Sequence, residues 1–316
     1  MKVAVVFNPV KAEERELRNA LHEEVPAAKS DLNFFETDAD DQGAAAAKKA
    51  VAVKPDLVLV AGGDGTVRIV AEQLAGTDIP LGIVPAGTGN LLARNLNIPL
   101  GGIDSAVRVA VHGKTEKIDL ARAAVTDEDG QESEYPFVVM AGVGLDAATM
   151  AETDSEMKKK LGWVAYVGGL LRALKDVRKV NVRGAVDGDD VEEFRANTIM
   201  IGNAGMVQGN VRFMPDAELD DGLLDIAVLN PSGPLSWMQV MHEVASNSSP
   251  IQRELRKLSV LPDRKAIPEL QFGQMKRVEL EFDTPIELQI DGDLIGEVVK
   301  LGCYVQKEAL AIRIKQ

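Results

Sequence analysis

A chain of 316 residues that is 46% apolar and 27% charged can form one large or two ordinary domains with real cores, which excludes global disorder. Thirty-five basic against 49 acidic side chains give a formal net charge of −14, which repels nucleic-acid phosphates and excludes general nucleic-acid binding. A single cysteine, Cys303, cannot build a disulfide framework or a cysteine-rich zinc site, so a reducing, cytoplasmic setting is expected.

Met1 to Phe7 is too brief an apolar stretch for a signal peptide, and no later run approaches the roughly 18 residues of a spanning helix. Lys2 to Phe7, Asp56 to Ala61 and Pro80 to Val84 are continuous apolar runs, the pattern of parallel strands buried on both faces. Between them, Glu13 to Glu24 and Asp41 to Val53 are rich in helix formers, and Lys54-Pro55 stops the second. The first third therefore reads β-α-β-α-β-α-β, a parallel sheet wound by helices.

From about Arg122 the texture changes to β runs, Tyr135 to Ala141, Thr198 to Ile201 and Leu223 to Leu229, with polar turns at 126–134 and 185–193. One helical stretch, Met157 to Val177, interrupts them. This predicts a separate sandwich-like domain. His22, His112 and His242 sit in unrelated segments without metal spacing, and Trp163 and Tyr166 read as core residues or as walls of a ligand cleft.

Gly62-Gly63-Asp64-Gly65-Thr66 follows the strand at 56–61 and precedes the helical run Val67 to Leu74. Glycines let the backbone approach a ligand, and a helix start supplies N–H groups and a positive dipole end, so this loop reads as a phosphate cradle. Pro85-Ala86-Gly87-Thr88-Gly89-Asn90 repeats the arrangement after the next buried strand. Two such loops make an amide-lined crevice long enough for a polyphosphate. Neither has the Gly-Lys-Ser/Thr of a P-loop or the spaced GxGxxG of dinucleotide folds.

The pair GGDGTV and VPAGTGNLLARNL, followed by LGWVAY, PDAELDDGLLDIAVL and QIDGD, resembles the catalytic domain of the diacylglycerol kinase, sphingosine kinase and bacterial lipid kinase superfamily across nearly the whole chain. The resemblance implies a three-layer α/β nucleotide-binding domain of the NAD kinase and phosphofructokinase kind over residues 1–122, rejoined by a returning strand at about 301–316. A C-terminal β-sandwich domain that takes the lipid would cover 123–300. It implies ATP contacts from Asn8, Pro9, Val10, Lys11 and Ala12, from Thr37, from Gly63, Asp64, Gly65, Thr66, Val67, Arg68 and Ile69, and from Thr88. A structural Mg2+ would be held by Asp221 with oxygens of Glu218 and Leu223.

Three positions depart from the family pattern. NPVKAEE lacks the glycine that usually follows Asn-Pro, Leu91 stands where many relatives have Asp, and Asp293 where they usually have the catalytic Glu. The expected activity is ATP-dependent phosphorylation of a lipid hydroxyl, that of diacylglycerol, with Asp293 as base and Asp64 holding magnesium or orienting the hydroxyl. The alternatives are a kinase of a sphingoid or other lipid alcohol, and a catalytically weak lipid-binding protein on the same fold. Residues 157–183 carry eight lysines and arginines against Asp176 alone, which predicts a basic amphipathic helix docking on anionic membranes. A homo-oligomer is compatible with all of this.

Overall fold

The computed structural model describes residues 1–38, 41, 43–144, 179–247 and 267–316. The expected helix at Met157 to Val177, Trp163, Tyr166 and all but the last five residues of the basic stretch 157–183 lie outside them. Among the described residues no helix is long and apolar enough to cross a membrane.

The chain forms two units. One comprises Met1–Leu120, Leu219–Gly222 and Gln306–Gln316; the other comprises Ala121–Glu218 and Leu223–Val305. The passage between them falls at 120/121, and the last strand changes unit at 305/306. The short loop 219–222 goes with the first unit because the buried carboxylate of Asp119 accepts the Gly222 N–H at 2.7 Å, and the Asp119 N–H donates to the Leu219 carbonyl at 2.6 Å.

The first unit runs β1 (Lys2–Phe7), α1 (Glu14–Glu24), β2 (Asp31–Glu36), α2 (Ala44–Ala52), β3 (Leu57–Gly62), α3 (Asp64–Leu74), β4 (Leu81–Pro85), α4 (Leu91–Asn95) and α5 (Ile103–His112). β2, β1, β3 and β4 pair in that order, all parallel, and the returning C-terminal chain adds a parallel bridge between Ile312 and Leu81. Every residue of β3 is buried, and Val3 to Phe7 likewise, because helices cover both faces. α1 packs on α5 and α2 on α3. The right-handed crossovers from β1 to β2 and from β2 to β3 run in opposite directions along the sheet, which puts these pairs on opposite faces and gives three layers. Each helix buries a stripe at helical spacing, such as Leu17, Ala20 and Leu21 on α1 or Val67, Val70, Ala71 and Leu74 on α3. β2 is the half-exposed edge, where Phe34 meets Phe7 edge to face and lies under the Arg18 guanidinium.

The second unit starts within β5 (Lys114–Thr126) and continues with β6 (Glu132–Phe137), β7 (Met140–Val143), β8 (Val180–Val186), β9 (Glu192–Ala196), β10 (Thr198–Gly202), β11 (Met206–Val207), β12 (Val211–Arg212) and β13 (Leu224–Leu229). Helix α6 (Pro234–Asn247), β14 (Leu270–Met275), β15 (Arg277–Ile290) and β16 (Asp293–Ile314) complete it. Both polar stretches read as turns are hairpin ends, joining β5 to β6 and β8 to β9. β15 is shared between two layers. Its residues Val278–Phe282 pair with β8, whereas Leu288–Ile290 pair with β7, and the irregularity between Glu281 and Ile286 bends the strand where Asp283, Thr284 and Pro285 are exposed. From β7 the layer continues antiparallel through β10, β13 and β14. The enclosed core includes Phe137, Ile199, Ile201, Leu280, Leu288 and Cys303, whose thiol is pushed far up by burial.

Two expectations change here. The run Tyr135 to Ala141, read as one strand, is two strands broken at Val138-Val139, whose N–H groups turn to a buried carboxylate instead of a neighbouring strand. α6 appears where only strands were expected; Pro234 opens it, Ser236 closes its entry turn on the N–H groups of Ser232 and Gly233, and Trp237, Val240 and Val244 bury its inner stripe.

Candidate functional site

In the first unit, strand order 2-1-3-4 reverses direction between β1 and β3, and loops leaving adjacent strands to opposite sides open a crevice at their carboxyl ends. The loop after β3 is shorter than the sequence implies: Asp64, Gly65 and Thr66 already form the first turn of α3, with the Val67 N–H donating to the Gly63 carbonyl at 3.0 Å. That turn presents the N–H groups of Gly65 and Thr66, which have no acceptor within the helix. A methyl built on Gly87 would lie 2.7 Å from the Gly63 Cα, so the two glycine loops touch backbone to backbone. The same construction on Gly63 would meet the Lys11 Nζ at 2.7 Å. Chain from β1, β3 and β4 converges within this space.

The second glycine loop is fixed by its own polar groups. Asn90, at φ 48°, accepts the Gly87 N–H at 2.9 Å and donates its amide to the Gly87 carbonyl at 2.7 Å. The Arg94 Nε donates to the Gly89 carbonyl at 2.7 Å. The Asp64 carboxylate accepts the N–H of Asn90 at 2.9 Å and of Leu91 at 2.5 Å, so it tethers one loop to the other and satisfies the start of α4. Asp64 is therefore an oriented acceptor.

The expected contact residues divide by burial. Asp64, Gly65 and Thr66 are half-buried and Gly63 is buried against Gly87 and the Lys11 side chain, whereas Val67 and Arg68 are buried in the fold at 5% and 6% exposure, and Ile69 is half-buried. Thr88 is exposed at the tip of its loop. Asn8 closes the first loop, its side chain accepting the Val10 N–H and its carbonyl the N–H groups of Lys11 and Ala12, all at 3.0 Å. Pro9, Val10 and Lys11 are exposed and Ala12 is buried. Thr37 ends β2, donating its N–H to the Phe7 carbonyl at 2.9 Å and packing against Gly43. Nearby, Asp41 accepts the N–H groups of Ala45 and Gly43, which hold its pKa below the ordinary carboxylate value.

The acidic loop is anchored, not a loose turn. Asp119, fully buried, takes the Gly222 N–H and also the Glu308 N–H at 2.7 Å, so the half-buried Asp221 stands on an anchored loop. One carboxylate with backbone carbonyls is a donor set that fits a hard cation such as Mg2+. Among the described residues no group of three or more His, Cys, Asp or Glu side chains forms a metal cluster, and this set needs none.

In the second unit, Asp291-Gly292 is a two-residue hairpin turn with both φ positive, 49° and 92°, closed by the pair Ile290 and Asp293. Asp291 is 3% exposed and accepts the N–H groups of Val138, Val139 and Met140 at 2.9–3.0 Å. It is a structural acceptor. Asp293 is exposed at the start of β16. The sequence reading singled out neither Asn90, Arg94 nor Asp119. Asn90 was legible, as an Asn after Gly-Thr-Gly that could take a left-handed position; Asp119, a lone acid in a strand, carried no signal.

A parallel α/β unit with paired glycine loops, followed by an antiparallel β-sandwich, is the architecture of NAD kinase-like proteins. Accordingly, a yeast NADH kinase structure covering 100% of this chain and 84% of its own aligns at TM-score 0.52 and 8% identity, a likeness of fold alone. Residues 2–123 match the family model for the diacylglycerol kinase catalytic domain, and residues 138–261 that for the YegS C-terminal NAD kinase β-sandwich-like domain. The chain belongs to this diacylglycerol kinase catalytic-domain family. A Mycobacterium tuberculosis protein named diacylglycerol kinase is 38% identical over 181 residues, 57% of this chain and 56% of that relative, so the match spans little more than half of either. The crystal structure of a diacylglycerol kinase candidate from Bacillus anthracis aligns over 99% of this chain and 97% of its own at TM-score 0.73 and 25% identity.

Proposed function

We propose that this protein is an ATP-dependent lipid kinase that transfers the γ-phosphoryl group to the primary hydroxyl of diacylglycerol, giving phosphatidic acid and ADP. The observation that carries the reading is the convergence at the β1–β3 switch point: a lysine ammonium, two glycines in backbone contact and the first turn of α3 surround one crevice. Family membership supplies the lipid acceptor.

In this reading the N–H groups of Gly65 and Thr66 and the second loop align the triphosphate. Asp64, held by the Asn90 and Leu91 amides, orients the ligand, and the exposed Asp293 takes the hydroxyl proton as the new O–P bond forms and the bond to ADP breaks. Mg2+ would neutralise phosphate charge there and, at Asp221, brace the acidic loop. Purified protein incubated with γ-labelled ATP, Mg2+ and micelles of diacylglycerol, monoacylglycerol, sphingosine or ceramide tests this. Label should appear in phosphatidic acid. Transfer to a sphingoid base instead would correct the substrate, and ATP binding without transfer to any lipid would favour a non-catalytic lipid-binding protein.

A further inference from the structure

The hairpin that carries Asp293 is anchored at its turn and irregular just beyond it. Asp291 holds the turn through the N–H groups of Val138, Val139 and Met140, so β16 starts from a set position. Ile290 pairs with Asp293 and Gln289 with Leu294, but Leu288 pairs with Gly296, which leaves Ile295 as an extra residue on β16. Gly296, at φ 142°, takes a conformation that favours glycine, although a methyl built there would meet nothing within 4 Å. Backbone conformation, not crowding, asks for glycine here. Residues three apart in a regular strand face opposite sides, whereas this bulge lets Ile295 and Val298 both pack on the sandwich core. Leu294 stays outside at 52% exposure, next to the exposed Asp293.

We infer that Leu294 is a substrate-contacting residue that selects a lipid alcohol by the hydrocarbon next to its reacting hydroxyl. The inference rests on the reading of Asp293 as the base. In diacylglycerol the acyl esters begin within a few atoms of the primary hydroxyl, and neighbouring Cα atoms lie about 3.8 Å apart, so the base and its neighbour meet adjoining parts of one substrate. Consecutive strand side chains point to opposite faces, yet both of these are exposed at the tip. A flexible chain whose hydroxyl meets Asp293 can turn its first methylenes onto Leu294. Taking that hydrocarbon and the leucine out of water together favours a lipid over a soluble alcohol with the same hydroxyl. A leucine that only decorates the surface would be indifferent to the acceptor.

Steady-state kinetics of wild-type, Leu294→Ala and Leu294→Met protein, with dihexanoylglycerol dissolved as monomers and with dioleoylglycerol in detergent micelles, separates the two when thermal unfolding of each is measured alongside. Leu294→Ala should raise the KM for dihexanoylglycerol about fourfold to fifteenfold, the scale of about one or two buried methylene groups, while kcat and the KM for ATP stay within about twofold and the unfolding midpoint is unchanged. Leu294→Met, which restores the hydrocarbon, should recover most of the loss. An unchanged KM in Leu294→Ala, or a rise confined to micelles, which would mark contact with the surface instead of the substrate's own chain, would overturn the proposal while leaving the kinase reading standing. Wild-type protein that phosphorylates neither diacylglycerol would overturn both.

Discussion

The loops after β1 and β4 follow strands of the same kind and solve the same problem in opposite ways. The β4 loop commits almost every polar group to its own shape: Asn90 clasps Gly87 twice, Arg94 holds Gly89, and Asp64 reaches over from α3 to hold two amides. The β1 loop closes on one residue, Asn8, and leaves Val10 and Lys11 outside. A backbone cradle needs geometry fixed in advance, because amides act only where they point. A charged side chain on a flexible stem can find its partner from an approximate start.

Breaking the fixed loop should have the largest effect. Gly87→Val places a side chain against the Gly63 backbone, which cannot yield as a flexible side chain can. We expect loss of detectable ATP binding together with about 1–3 kcal/mol of stability, the usual cost of overpacking. Titration and urea unfolding of the same preparation would show both. Gly63→Val meets the movable end of Lys11 and should spare stability more, while still obstructing ATP. Equal stability loss in the two variants would contradict the contrast between the loops.

A second contrast lies in the Asp291-Gly292-Asp293 turn. Asp291→Asn puts an amide group where three backbone N–H groups need acceptors and should cost about 1–3 kcal/mol, read as a shifted unfolding midpoint. Asp293→Asn, on the exposed side, should leave that midpoint in place and lower turnover by about a hundredfold, as for loss of a general base, with ATP affinity intact. Asp293→Glu should keep substantial activity. If Asp293→Asn turns over at the wild-type rate, the base lies elsewhere, with Asp64 the first alternative.

The smallest expected effect is at the α2 entry. The N–H groups of Ala45 and Gly43 depress the pKa of Asp41 in the folded state, so its contribution is complete above the unfolded carboxylate pKa and fades as pH falls through the lower folded value. Asp41→Asn should therefore flatten the acid limb of the stability profile slightly and leave neutral-pH activity unchanged. A profile identical to wild type would remove Asp41 from the account of acid stability.

These contrasts mark what could be read in advance. β1, β3 and β4, buried on both faces, announced themselves as unbroken apolar runs within a residue of their observed limits, and the glycine loops followed them as expected. The run Tyr135 to Ala141 did not announce its break, because the acid that takes the Val138 and Val139 amides lies more than 150 residues away. For the same reason Asp291 and Asp293 looked alike as neighbouring acids, although one is sealed under three amides and the other is exposed.

Local order of the chain determined the alternation of strands and helices, the two glycine loops, the Asp-Gly hairpin and the family to which they belong, since periodicity, turn chemistry and motif spacing are written between near neighbours. Pairing of distant groups was decided only in three dimensions. Asp119 joins the loop at 219–222 to the returning strand at Glu308, Asp64 ties α3 to the loop after β4, and Lys11 comes to rest beside Gly63. A buried polar group is stable only with a partner, and the sheet's strand order, not the residue's own neighbours, determines which partner comes within reach.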